Sequence, residues 1–297
     1  SLTNPPTHPQ NTAMCKPATK NGTPGEPDKP CDIFGRPFSV PVDHEHKASQ
    51  FTCKQLLGCA NPHMRGFWAG TVGFFCTFFS CFAAAPLGEY MTPTLNLTKD
   101  DKSLAGILAV SGTIVMRLVT GPLCEKFGAR KTFCLLLMLA VPGIVWMMCA
   151  QSAAEFIICR FIIGLSLATF VTCQVWSSQL FAKSVVGTAN ATAGGWGNLG
   201  GGVTQLVMPW LAEGFLAATG SESAAWRICF ALPLIMHLGA AVFVMTGRDL
   251  PDGNFKELEV SGAKQISSAS GVAKVGLSNV NAYILLVTYG FCFGVEL

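Results

Sequence analysis

The placement of apolar residues constrains this chain more than any other feature. Six runs each approach the roughly 20 apolar residues that a helix needs to cross the hydrocarbon core of a bilayer. They cover residues 67–90, 104–124, 132–149, 155–175, 187–211 and 226–246, and a seventh run extends from about residue 281 to 297. The pattern predicts an all-α, polytopic membrane protein with six complete transmembrane helices and the start of a seventh.

Composition argues against two other classes of protein. Charged residues make up 12% of the chain, against about 25% in an ordinary soluble domain, so we do not expect a soluble enzyme. The 20 basic residues exceed the 17 acidic residues by a net charge of only +3, which is too small for a nucleic-acid-binding surface. The expected surroundings are the lipid bilayer, and nucleic acid is not an expected partner.

The cysteine and histidine residues indicate no metal site and no cofactor. Most of the 13 cysteines lie inside the apolar runs at irregular spacing, where they act as small hydrophobic residues. The five histidines are scattered, and no Cys or His cluster has the spacing of zinc ligands.

Polar segments divide the chain into four expected parts. Residues 1–66 are rich in Pro, Thr, Asn and Lys, and we expect a largely disordered, cytosolic tail. Residues 67–246 form the six-helix unit, 247–280 form a cytoplasmic linker, and 281–297 begin a seventh helix. With the N-terminus inside, nearly all loop Lys and Arg residues face the cytosol, as the positive-inside rule requires.

Two arginines, Arg117 and Arg160, lie inside apolar runs, where a charge costs about 2.5–3.5 kcal/mol even on a lenient scale. Arg117 lies roughly 10 Å from the inner end of its run, too deep for its side chain to reach the surface easily. Residues 105–124 contain no acid, and neither do the interiors of runs three to six. A bound anion is therefore favoured as the partner of Arg117, with an acid on another helix as the alternative. We interpret Arg160 as a structural charge near the outer boundary.

The fifth run contains six glycines and one asparagine within residues 193–202. Each glycine costs a helix about 1 kcal/mol relative to alanine, so this density needs a reason. One helical face carries Gly187, Asn190, Gly194, Asn198, Gly201 and Gln205. Close helix packing is the favoured explanation for most of the glycines, and a polar path is the alternative. Asn198 differs, because its amide offers a hydrogen-bond donor to an anion.

The loop at residues 121–131 resembles the signature of the major facilitator superfamily. It contains a glycine, then an acid and a base, then a second glycine followed by paired bases. Six helices followed by a polar linker also suit one half of a twelve-helix transporter built from two repeats, with the substrate between the halves.

A narrower resemblance comes from the glycine-rich segment, which looks like the nitrate signature of the nitrate/nitrite porter family. Residues 41–48, 82–87, 160–170 and 249–254 are similar to the eukaryotic high-affinity nitrate transporters of plants and algae. The resemblance extends from about residue 41 to the end of the chain and corresponds to the N-terminal half of those transporters.

This resemblance implies a set of site residues. They are a substrate-binding arginine at Arg117, an amide at Asn198 with Gly194 on the same helix face, and aromatic walls at Phe170, Tyr289 and Phe293. Tyr289 and Phe293 share a helix face because they are four residues apart. Glu89 and Glu296 are candidates for proton coupling, and an interfacial or packing role explains each of them equally well.

The resemblance also implies a function. It predicts transport of nitrate, with nitrite as a further substrate, by alternating access in the plasma membrane, coupled to protons. A nitrate/nitrite exchanger, a carrier of another anion and a non-transporting nitrate sensor remain alternatives. Some plant members require a small accessory membrane protein, and the sequence leaves the need for one open.

Overall fold

The computed structural model describes residues 30–262 and 278–296, with side chains described up to residue 291. Its described part contains twelve α-helices and one short 3-10 helix at Ser166–Ala168. In chain order the α-helices are α1 Cys53–Leu56, α2 His63–Phe82, α3 Gly88–Leu95, α4 Lys99–Phe127, α5 Ala129–Cys149, α6 Ala153–Leu165, α7 Thr169–Leu180, α8 Val186–Thr219, α9 Glu222–Cys229, α10 Ala231–Met245, α11 Phe255–Val260 and α12 Val280–Glu296.

Each apolar run lies mainly in helix, which confirms the all-α class for the described residues. The first run is divided between α2 and α3 by a turn at residues 83–87, the fourth between α6 and α7 by the 3-10 turn, and the sixth between α9 and α10. Four segments are long and apolar enough to cross a membrane, and these are Lys99–Phe127, Ala129–Cys149, Ala153–Leu180 and Glu222–Met245. The count of six spans plus a seventh therefore remains a prediction.

The helices of the first and fifth runs, α2 and α8, are not among these four segments, and both contain several Gly and Thr residues. They are nevertheless closely packed against each other. A methyl group at Gly197 would overlap the ring of Phe74, and one at Gly200 would overlap the carbonyl oxygen of Phe75. Small residues permit this close approach, which gives van der Waals contact between helices that lipid would otherwise separate.

The buried stripe of α8 differs from the face that the sequence suggested. Its members are Ala189, Ala193, Gly197, Gly200, Thr204, Met208 and Ala212. Gly197 and Gly200 make the tightest contacts, and a Cβ atom at Gly201 would lie 3.3 Å from the ring of Phe82, whereas Gly187, Gly195 and Gly202 face open space. Close packing thus explains Gly197, Gly200 and Gly201, of which only Gly201 lies on the face named from the sequence.

Buried polar side chains link the helices as well. The Nδ1 of His237 in α10 lies 3.0 Å from the Leu137 carbonyl of α5, and its Nε2 lies 2.7 Å from the Ser80 hydroxyl of α2. Because a carbonyl only accepts hydrogen bonds, Nδ1 is the donor to Leu137. Three helices are therefore joined through one imidazole.

The N-terminal segment, residues 30–52, is ordered and packs on one end of the bundle. Ala48 exchanges backbone hydrogen bonds of 2.9 Å with Leu180 and Ala182. The ring of Phe51 makes edge contacts with Phe67 at 5.2 Å and with Phe181 at 5.4 Å. The expected disorder of residues 1–66 therefore does not extend to this segment, whereas residues 1–29 lie outside the described residues.

We predict opposite effects for two alanine substitutions on α8. Both variants gain helix propensity, but Gly200→Ala also forces the α2 backbone away, whereas Gly202→Ala points into open space. Overpacking costs about 1–3 kcal/mol, so Gly200→Ala should be less stable than Gly202→Ala by about that amount. Thermal unfolding of the purified protein in detergent measures the difference, and equal stabilities would contradict the close α2–α8 contact.

Candidate functional site

Arg117 lies in α4 and is half-buried. Its guanidinium carbon is 5.6 Å from the ring centre of Phe170 in α7 and 5.8 Å from the ring centre of Tyr289 in α12. The two rings are stacked, with centroids 5.7 Å apart and planes 9° apart. The structure therefore brings three of the sequence-predicted residues together from three different helices.

The two aromatic rings stabilise the positive charge of Arg117. The faces of aromatic rings are electronegative, and a guanidinium within about 6 Å of a ring centre is attracted to them. A guanidinium is planar and presents several N–H donors in fixed directions, which suits a flat anion with several oxygens. The cluster of Arg117, Phe170 and Tyr289 can therefore orient the donors of Arg117 toward a ligand.

Gly194 of α8 lies beside this cluster. A Cβ atom at Gly194 would be 3.8 Å from Phe170 and 3.8 Å from the side-chain amide of Gln174. Asn198 follows one helical turn later and is exposed. The glycine leaves space next to the ring, and the amide of Asn198 is accessible on the same side of α8.

Sequence reasoning missed a polar chain between α7 and α8. Gln174 donates from Nε2 to the Asn190 carbonyl at 3.3 Å, and Asn190 donates from Nδ2 to the Ser178 hydroxyl at 3.1 Å. Gln174 and Ser178 follow Phe170 at intervals of four residues, so they extend along its helix face. That spacing is a signal by which the sequence could have identified them.

The remaining candidates lie apart from the cluster or outside the described side chains. Glu89 is exposed in the first turn of α3. The backbones of Phe293 and Glu296 belong to α12, but their side chains lie outside the described part of the chain. Arg160 donates to the Cys81 carbonyl near the end of α2, which is a contact that a structural charge would make.

Comparisons with known proteins agree with the helical architecture. The model of the Major Facilitator Superfamily matches residues 70–296. The chain is 41% identical to High affinity nitrate transporter 2.5 of Arabidopsis thaliana, over 93% of this chain and 55% of that protein. It is 35% identical to Nitrate transporter 2.1 of Chlamydomonas reinhardtii, over 95% of this chain and 51% of that protein.

A more distant similarity reaches a bacterial protein. The chain is 29% identical to Nitrate/nitrite transporter NrtP of Nostoc punctiforme, over 69% of this chain and 41% of that protein. The chain spans about half the length of the plant and algal relatives that it matches.

We predict that Phe170 and Tyr289 are energetically coupled. Stacked aromatic pairs contribute about 0.5–1.5 kcal/mol beyond their buried area. The changes in the free energy of unfolding caused by Phe170→Leu and Tyr289→Leu should therefore differ from additivity by about that amount. The measurement compares the purified single variants with the double variant. The control pair is Phe170→Leu with Phe34→Leu, because Phe34 is an exposed residue of the N-terminal segment, and it should be additive. Additivity of both pairs would contradict the stacked arrangement.

Proposed function

Because the chain belongs to the major facilitator superfamily, we propose that its protein is a membrane transporter of nitrate, with nitrite as a second substrate. Transport proceeds by alternating access, in which two six-helix halves move around a central binding site. In this proposal residues 67–246 form one half, residues 247–280 form the linker, and residues 281–297 begin the seventh helix. The names of the plant, algal and bacterial relatives support the choice of substrate.

The position of Arg117 against two stacked rings is the observation that carries the proposal. Nitrate and nitrite are flat oxyanions, and a guanidinium can donate two parallel hydrogen bonds to such a group. An ammonium group supplies a point charge without this directionality. Arg117 is therefore the proposed substrate-binding residue, and Phe170 and Tyr289 are the proposed walls that hold it in orientation.

Three further residues complete the proposed substrate site. Asn198 donates an amide hydrogen to the anion. Gly194 leaves space beside Phe170, because a Cβ atom at this position would already lie 3.8 Å from the ring. Phe293 follows Tyr289 by one turn of α12 and extends the aromatic wall.

Proton coupling is the proposed source of energy. An anion that enters a negative-inside cell moves against about 2.3 kcal/mol per charge per 100 mV. If two or more protons accompany each nitrate, the net charge that enters is positive and the membrane potential drives uptake. Glu89 and Glu296 are the proposed proton-binding groups, with an interfacial or packing role as the alternative for each. A nitrate/nitrite exchanger would move no net charge, and a nitrate sensor would bind the anion without uptake. Proton entry that accompanies nitrate uptake would distinguish the symporter from both.

The protein is a membrane protein, and we propose that it lies in the plasma membrane with a cytosolic N-terminus. A small accessory membrane protein is a further proposed partner, on the example of the plant family members. The orientation rests on the distribution of Lys and Arg residues between the loops.

We predict that the guanidinium of Arg117, and not only its charge, is needed for substrate binding. Arg117→Lys retains the positive charge but loses one charge-assisted hydrogen bond of about 1.5–3 kcal/mol. The apparent KM for nitrate uptake should therefore rise about tenfold or more in Arg117→Lys. Arg117→Ala should abolish saturable uptake. Both variants are compared with wild type in cells that express the complete protein at equal surface levels. If the lysine variant takes up nitrate as wild type does, Arg117 contributes only its positive charge. If the alanine variant still takes up nitrate, the substrate site lies elsewhere.

We predict the orientation from two natural thiols. Cys149 at the end of α5 and Cys53 in α1 are both free and exposed, and the proposed orientation places Cys149 outside and Cys53 inside. A membrane-impermeant maleimide should label Cys149 in intact cells, and Cys149→Ser should remove that label. Cys53→Ser should reduce labelling only after permeabilisation. Loss of the intact-cell label in Cys53→Ser would reverse the orientation.

A further inference from the structure

A charged cavity lies where the N-terminal segment, the start of α5 and α11 meet. It forms one continuous space of about 770 Å³. Four basic side chains line it, Arg36, Arg130, Lys131 and Lys256, together with a single acidic one, Glu257. The basic residues come from three separate parts of the chain, so folding is required to assemble them.

Arg36 is held in position by a buried carboxylate. Its Nε lies 2.5 Å from Oδ2 of Asp32, whose side chain is fully buried, and its Nη2 donates to the Asp252 carbonyl at 3.0 Å. Arg248 also donates to Oδ2 of Asp32, at 3.1 Å. Because one carboxylate serves two guanidinium groups, positive charge remains in excess beside the cavity.

Arg130 is fixed in a similar way. Its Nη1 donates to the Met245 carbonyl at 3.0 Å, and its backbone N–H donates to Oδ1 of Asp249 at 2.9 Å. Burial raises the pKa of the Asp249 carboxyl, and the Nε of Arg130 lies 3.9 Å from Oδ2 of the same residue. Two of the four basic groups are thus positioned before any ligand arrives.

The two lysines and the acid differ in their freedom to adapt. Lys131 and Lys256 are exposed, so their long side chains can adjust to a ligand. Glu257 accepts a hydrogen bond from the Asn254 backbone N–H at 3.1 Å and thereby caps α11. Its carboxylate is engaged at the start of that helix, which leaves the basic groups to determine what the cavity binds.

The cavity also has two apolar lining residues, beside the polar Asn254 and Ser261. Phe34 and Val260 line the cavity and are 50% and 84% exposed. Exposed apolar groups next to a basic cavity, in a protein that lies in a membrane, suit an amphiphile better than a soluble anion.

We propose that this cavity binds the phosphate groups of an anionic lipid headgroup. Arg36 and Arg130 supply fixed donors, Lys131 and Lys256 supply adjustable charge, and Phe34 and Val260 contact the apolar part of the lipid. In the proposed orientation the lipid belongs to the cytoplasmic leaflet, where anionic headgroups are concentrated. The proposal is independent of nitrate transport.

The test measures binding of a fluorescent, short-chain phosphatidylinositol bisphosphate to the purified protein in neutral detergent. Lys131→Gln combined with Lys256→Gln should weaken binding at least about fivefold, because both adjustable charges are removed. The matched control is Lys54→Gln combined with Lys183→Gln, which removes two exposed lysines of the same proposed membrane side from outside this cavity. The control variant should bind as wild type does.

Three outcomes would overturn the proposal. Unchanged binding by the Lys131 and Lys256 double variant would remove the cavity as the site, and equal weakening by the control variant would show attraction by general charge alone. Soluble inositol trisphosphate that competes as well as the lipid does would identify a free phosphate ligand and contradict the role of the apolar lining. Circular dichroism and size-exclusion chromatography verify that each variant is folded.

Discussion

Helices in a bilayer gain no hydrophobic free energy by meeting one another, because lipid tails are as apolar as their own side chains. Contact between them depends on close packing and on hydrogen bonds. In this protein Gly197 and Gly200 bring α8 against α2, and His237 joins three helices through its two ring nitrogens. The positions of α4, α7 and α8 around Arg117 depend on these contacts, since a shift of the packed helices would move the rings that hold its guanidinium.

The apolar runs were sufficient to predict the helices, because a bilayer demands long segments whose backbone polar groups are satisfied internally. The meeting of Arg117, Phe170 and Tyr289 was expected only from the family resemblance, since no local pattern relates residues so far apart in the chain. The sequence pointed to one face of α8 and left open whether it packs or lines a polar path, and the tightest packing, at Gly197 and Gly200, lies on another face. A helix with many small residues offers several faces for packing, and the partner helix decides which one is used.

The order of the N-terminal segment was also not predicted, because it depends on tertiary contacts with residues far along the chain. Residues 41–48 and 249–254 were recognised only as blocks that resemble a family, and composition suggested a disordered tail and a linker. In the structure His46 Nδ1 lies 2.6 Å from Oδ1 of Asp252, so the two blocks contact each other. Local sequence patterns indicate local structure, whereas a contact between distant segments depends on how the helices between them are assembled.

The bond between Asp32 and Arg248 joins residues that are 216 positions apart in the chain. During synthesis the acid emerges long before the arginine, and the helices from α2 to α10 lie between them. Contacts of such high sequence separation form late, because the chain between them must first be organised. Asp32 therefore pairs with Arg248 only after the helices between them have packed. The N-terminal segment takes its final position at the end of folding.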